Sequence, residues 1–230
     1  HREEGSTDVP QEGLHAALEL SGYYAEMVAE RRKRPSDDLV SALCAAEIDG
    51  DRLSDDDIIG FLFLMVVAGN ETTTKLLANA WYWAWRNPDE RAKVFADEGR
   101  VDDWTEETLR FDTSSQMLAR VARCDVELHG VVIPEGGRVI LLAGSANREP
   151  DVFPDPDRYD LDRDTTALAS FGMGRHYCLG ASLARLESRV ALQELRSRVA
   201  DYDIDEAGAS RVHSVNVRGF AHLPTQVRPR

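Results

Sequence analysis

Cysteine is scarce in this sequence: Cys44, Cys124 and Cys178 lie far apart and are odd in number. That argues against a disulfide framework and favours a reduced, cytoplasmic setting. Long apolar runs are missing as well. The most apolar stretch, Ile58 to Ala68, falls well short of the ~20 residues needed to cross a bilayer, so it reads as a core helix and no membrane partner is expected. No basic segment followed by an apolar one opens the chain, so nothing suggests secretion. Positive charge is in deficit: 27 Lys and Arg stand against 41 Asp and Glu, for a formal net charge of −14. Phosphate recognition needs a clustered basic excess, so nucleic acid is not an expected partner. There is no internal repeat and no low-complexity tract. The first residues are His1-Arg2-Glu3, with no methionine, which suggests a processed or partial chain.

What is present is enough for a substantial core: 230 residues, 43% of them hydrophobic, fit one large domain or two small ones. Apolar residues at helical spacing predict a helix from about Pro10 to Arg34, stopped by Pro35. A second is expected over Asp37 to Ile48, before an Asp49-Gly50 turn. Ser54 followed by three aspartates caps a third helix reaching about Arg86, roughly 48 Å long at ~1.5 Å per residue and expected to be buried where it is apolar all round. Further helices are expected at Pro88 to Asp97, Asp102 to Phe111 and Ala181 to Val199. Ala119 to Leu128, Val131 to Ile133 and Arg138 to Leu142 read as an antiparallel meander, and Arg211 to Arg218 with Thr225 to Arg228 as a closing hairpin. Residues 147 to 164 carry too many breakers for regular structure.

Chemistry concentrates in Phe171-Gly172-Met173-Gly174-Arg175-His176-Tyr177-Cys178-Leu179-Gly180, a loop with three glycines that sets one cysteine just before a helix. Helix-start amides favour sulfur as the anion, the form that binds metal. Glycines let a flat ligand approach the backbone. Plainer readings compete. A dinucleotide loop would follow a strand and carry no cysteine. Zinc needs three or four ligands, and only His176 stands near Cys178. A buried structural cysteine is the stronger rival.

Two other segments stand out. Ala68-Gly69-Asn70-Glu71-Thr72-Thr73 puts a glycine, an acid and hydroxyls into an apolar helix. Gly costs up to ~1 kcal/mol there relative to Ala, and an unpaired buried carboxylate costs more. A hydroxyl bonding back to a carbonyl, or a widened turn, would open the backbone at that point; a helix face meeting solvent is the plain alternative. Glu107-x-x-Arg110 spans one helical turn, a spacing most often seen in surface ion pairs.

Phe171, Gly174, His176, Cys178 and Gly180, with Leu179-Gly180-Ala181-Ser182-Leu183-Ala184-Arg185 behind them, resemble the haem-binding loop of the cytochrome P-450 family, soluble bacterial branch. Phe, Gly, Cys and Gly at those offsets should arise by chance in a chain of this length less than about once in a thousand. The resemblance implies a mainly α fold with small antiparallel sheets. Residues 1–230 would be the C-terminal part of a single cytochrome P-450 domain, holding the long central helix and the cysteine loop but lacking the amino-terminal half.

By the same resemblance Cys178 is the axial thiolate on haem b, whose electron donation favours O–O cleavage. Phe171 packs beside the sulfur, and Gly172, Gly180 and Ala68 lie against the macrocycle. His176 and Arg120 bind its propionates. Glu71 and Thr72 relay protons, and their presence disfavours the family's peroxide-using variants. Glu107, Arg110 and Arg158 form a proximal structural triad. Met65, Ala68, Gly69 and Ser115 to Leu118 line the substrate side. The implied activity is a monooxygenase using dioxygen on a small apolar or amphipathic organic substrate. Its electrons would come from a ferredoxin-type donor with its reductase, docking near Arg175, Arg185 and Arg189, so that Arg175→Glu or Arg185→Glu slows electron delivery at low salt. The alternatives are a non-catalytic haem-binding protein, a truncated inactive fragment, or a domain with no cofactor.

Overall fold

The computed structural model describes residues 11–230; Pro10, the expected start of the first helix, and His1-Arg2-Glu3 lie outside the described residues. The chain divides into two compact units, one ending at Asn70 and the other running Glu71–Arg230, with the division inside a long helix.

In the first unit α1 (Gln11–Lys33) and α2 (Leu39–Ala45) pack on the start of α3 (Asp55–Arg86). The helix expected to reach Ile48 stops early. Ala46 is extended, and β1 (Glu47–Ile48) pairs with β2 (Asp51–Arg52) across Asp49-Gly50. Both turn residues have positive φ, 54° and 87°, the geometry that matches strand twist in a two-residue hairpin. Ser54 caps α3 as expected: its hydroxyl accepts from the Asp57 amide at 3.1 Å while Asp57 accepts from the Ser54 amide. Tyr24, Val28, Val40, Ile58 and Leu62 form the core.

The expectation that Ile58 to Ala68 is buried all round fails. Ile58 and Leu62 are buried, but Leu64 is 60% and Val67 56% exposed. The reason is geometric: α1 and α2 cover one side of the helix, and among the described residues no other element of this unit reaches the rest of its girth. Nor is the backbone opened at Ala68 to Thr73, where α3 runs on as α-helix.

The second unit is built on the rest of α3, with α4 (Pro88–Ala96) and α5 (Val101–Phe111). Pro88 at the start of α4 suits a position whose amide needs no partner. Trp81, Ala84, Val94, Trp104, Phe111, Tyr159, Leu192 and Tyr202 belong to one buried cluster. Trp81 and Tyr202 stack with ring centroids 3.7 Å apart.

The meander resolves differently from its expectation. The first run breaks at residues 122–125 into β3 (Leu118–Val121) and β4 (Val126–Leu128), followed by β5 (Val131–Ile133) and β6 (Arg138–Leu141). β3 pairs with β6 and β4 with β5, so one ladder nests inside the other. The β4–β5 turn is again a positive-φ pair, His129 and Gly130. A short α6 (Ala143–Ala146), absent from the sequence expectation, leads into residues 147–173, which form turns and bends only. α7 (Ala181–Arg198) packs on α5.

The closing hairpin is also re-paired. β7 (Val199–Ile204) takes β10 (Thr225–Pro229), and β8 (Ser210–Arg211) takes β9 (Phe220–His222). Buried Val199, Tyr202 and Ile204 make β7 the strand with a core face, so the last strand pairs there; of the expected 211–218 strand only Arg211 stays in a strand, β8, and the rest becomes a loop. Among the described residues no helix is long and apolar enough to cross a membrane.

Candidate functional site

The cysteine loop is assembled from behind. Glu107 and Arg110 lie one turn apart on α5 and are 1% and 0% exposed, so they are not the surface pair that such spacing usually makes. Arg110 Nε and Nη2 donate to the two Glu107 oxygens at 2.7 and 2.8 Å. Its remaining hydrogens go to the carbonyls of Asn147, Pro156 and Arg158 at 3.0, 3.0 and 3.1 Å. Burial of this charge is tolerated because every donor is used.

Arg158, expected as the third member, contributes only its carbonyl; its side chain is 64% exposed. The side chain that approaches Glu107 is Arg163, 7% exposed, with Nε 3.6 Å from Oε1. Arg163 also donates to the carbonyls of Pro154, Asp155 and Arg158, wrapping the irregular segment around itself. An arginine five residues downstream reaches the acid because the intervening chain bends back. Nothing in residue spacing foretells that.

Asn147, fully buried, transmits the arrangement to the loop. Its carbonyl is held by Arg110, its Oδ1 accepts from the Ala169 amide at 2.7 Å, and its Nδ2 donates to Ser170 Oγ at 2.8 Å. Ser170 Oγ in turn donates to the Leu109 carbonyl at 2.6 Å. Residues 169–170 are thus pinned to the end of α5 immediately before Phe171. Sequence reasoning missed Asn147 and Ser170; single polar residues in an irregular stretch carry no periodic signal.

From that base the loop closes on itself. The Cys178 amide donates to the Phe171 carbonyl at 2.8 Å, and Gly174–His176 forms a 3-10 turn. Gly172 and Gly174 have φ of +70° and +64°, a conformation costly for residues with a Cβ. The Cys178 carbonyl accepts from the Ala181 amide at 3.2 Å, so the sulfur stands at the head of α7. Cys178 is free and exposed, and its neighbours His176 and Gly180 are exposed as well. Phe171 is half-buried beneath the Arg185 guanidinium, 4.6 Å from its ring centroid.

On β3, Leu118 and Arg120 share a face, and a Cβ built on Gly172 would touch Leu118 Cδ1 at 3.5 Å. Arg120 is half-buried and donates to the Ala119 carbonyl. Within this unit the structure therefore brings Phe171, Gly172, His176, Cys178 and Gly180 into one loop, with the Arg120 strand beside it. Glu71 is exposed and Thr72 half-buried on α3; Ala68, exposed, and Met65 and Gly69 belong to the first unit.

Of the three arginines expected at the donor face, Arg185 is already engaged. It binds both Glu106 oxygens, at 2.5 and 2.9 Å, and Tyr177 Oη at 3.2 Å, and the Glu106 bond raises its pKa further. Arg189 lies 3.8 Å from Asp102. Arg175 makes no ion pair among the described residues.

These residues fit a flat macrocycle held by one sulfur. A Cβ on Gly174 would meet nothing within 4 Å, so the loop presents open backbone beside Cys178. Among the described residues no group of three His, Cys, Asp or Glu could hold an ion by itself, so no tetrahedral zinc set is assembled there. Among the described residues Cys178 is exposed, not enclosed by apolar neighbours as a structural cysteine would be. A surface hollow of about 410 Å³ lies elsewhere, at residues 152–167, and belongs to the Arg163 wrap.

The family profile described as cytochrome P-450 matches residues 11–198. The Mycobacterium tuberculosis protein designated cytochrome P-450 123 is 58% identical over 231 residues, covering 100% of this chain and 58% of the relative. A vitamin D(3) 25-hydroxylase of Pseudonocardia autotrophica is 38% identical over 228 residues, covering 97% of this chain and 57% of the relative. A solved cytochrome P-450 of Bacillus megaterium in complex with corticosterone superposes with a TM-score of 0.90 at 33% identity, covering 99% of this chain and 62% of that one. The chain spans little more than half the length of the curated relatives it matches.

Proposed function

The chain belongs to the cytochrome P-450 family, and from that premise we propose that it serves a haem-thiolate monooxygenase acting on a small apolar or amphipathic organic molecule. The observation that carries the proposal is the exposed Cys178 sulfur at the head of α7, in a loop with open glycine backbone. Haem b, when bound, supplies the activation of dioxygen.

The chain's own residues do the rest. Cys178 would hold the iron through its sulfur. His176 and Arg120 bind the propionates, one from the loop and one from β3. Gly172, Gly180 and Ala68 allow close approach, and Phe171 shields the loop. The Glu71 carboxylate and the Thr72 hydroxyl hold and pass protons. Residues 1–230 act as the C-terminal part of one cytochrome P-450 domain. Electrons come from a ferredoxin-type donor with its reductase, met by Arg175. The compounds named for two relatives, vitamin D(3) and corticosterone, are largely apolar ring systems, which supports the substrate class. Three free cysteines suit a reducing, cytoplasmic setting.

The test is spectroscopic. Reduced, haem-loaded protein under carbon monoxide should show the red-shifted absorption of thiolate ligation, and Cys178→Ala should lose it. An unshifted band in the unsubstituted protein would sink the assignment. Turnover with a reductase system then separates an enzyme from a passive haem binder.

A further inference from the structure

Asp112 is a buried carboxylate, 4% exposed, one residue past the end of α5. Its Oδ2 accepts from Trp83 Nε1 at 2.8 Å and from Arg211 Nη1 at 3.2 Å, and its Oδ1 from Arg218 Nε at 2.5 Å. Its carbonyl accepts from Asn79 Nδ2 at 2.9 Å, and its amide donates to Thr108 at 3.0 Å. Three stretches of chain meet on this one residue: α3, the end of α5, and the loop bounded by Arg211 and Arg218.

The two arginines stand at opposite ends of that loop, so the carboxylate closes its base. Between residues 114–117 and 216–218 the backbone pairing is short. Ser115 and Val217 form a single bridge, the Gln116 amide donates to Asn216 O at 2.9 Å, and the Arg218 amide donates to Ser114 O at 2.8 Å. Val215, at the tip, is 83% exposed. So short a ladder does not specify its own register. Yet residues 114–117 feed directly into β3, whose Leu118 and Arg120 share the face that meets the cysteine loop at Gly172.

We propose that Asp112 is a positioning residue: clamped between Arg211 and Arg218, it sets the register of residues 114–117 against 216–218 and so the face from which Leu118 and Arg120 meet the cysteine loop. The consequence for haem rests on the function proposed above; the clamp itself does not.

Hydrogen exchange on the haem-loaded protein tests it. Asp112→Asn keeps the shape but removes the charge that both arginines share, so the Gln116 and Arg218 amides should exchange at least about tenfold faster, with α7 unchanged. Arg218→Gln, at a half-exposed side chain, leaves Arg211 and Trp83 in place and should loosen the same amides by less. In Asp112→Asn, haem should transfer to apomyoglobin at least about threefold faster while the thiolate-type carbon monoxide absorption persists. Unchanged protection at Gln116 and Arg218, or a loss spread evenly through α5 and α7, overturns the proposal. Cys178→Ala separates the two ideas, since it should abolish the absorption without altering exchange at those amides.

Discussion

Arg110→Met offers the sharpest test of how the cysteine loop is held. An arginine has five N–H donors, and here all are engaged: two on Glu107 and the others on the carbonyls of Asn147, Pro156 and Arg158. Methionine fills much of the volume but strands a carboxylate that is 1% exposed. Its remaining partners are the Asp160 amide at 2.9 Å and Arg163 at 3.6 Å. Breaking a buried pair from one side costs about 3–5 kcal/mol, a large share of the ~5–15 kcal/mol that holds a domain together. At roughly 2–4 °C per kcal/mol for a unit of this size, Tm should fall by roughly 6–20 °C. Adding Glu107→Gln removes the stranded charge, so the double variant should cost less than the sum of the singles by about 0.5–3 kcal/mol. Urea unfolding of the four proteins measures the cycle. Additivity, or a loss below about 1 kcal/mol in Arg110→Met, would refute the account.

Three further outcomes follow from the same structure. Asn147→Ala should cost about 1–3 kcal/mol by leaving the Ala169 amide without its acceptor and should speed proteolysis within residues 164–172; equal cleavage rates would remove Asn147 from the support of the loop. Arg185→Glu should lower stability by about 1 kcal/mol, because it sets two carboxylates together and strips the cover from Phe171. Exchanging charges with Glu106→Arg should recover the loss, whereas Arg175→Glu should leave Tm unchanged and slow reduction by an acidic donor at low salt. Burial raises the phenol pKa of Tyr159 and Tyr202 in the folded chain. Their contribution is therefore complete below the unfolded value of about 10 and is lost as pH rises toward the folded values. Tyr202→Phe should flatten the fall in urea midpoint above pH ~10, and an unchanged slope would count against it.

Much of the helical frame was legible because its signals are local. Ser54 with Asp57, Pro88, and the carboxylates at the head of α5 act within one turn; α3 and α4 begin where their cap or breaker stands, and α5 begins at Val101, one residue before its carboxylates. The β4–β5 partners were legible across His129-Gly130, but those of the last strands were not. β7 takes β10 because Val199, Tyr202 and Ile204 have a core to face, and a core is not a property of either strand. The solvent-facing girth of α3 at Leu64 to Val67 misled for the same reason: apolar character reports a capacity for burial, while burial itself needs a neighbour.

The order of Phe171, Cys178 and Gly180 ahead of α7 is written in the chain, since such a cysteine loop needs only glycine freedom and a helix start close by. What holds that loop is not. That Arg163 rather than Arg158 turns toward Glu107, that Asn147 grips Ala169, and that Asp112 gathers Arg211 and Arg218 all depend on contacts between residues distant in sequence. Such contacts form only once the backbone has folded back and excluded water, because the desolvation that makes a buried charge select its partner exists nowhere in the extended chain.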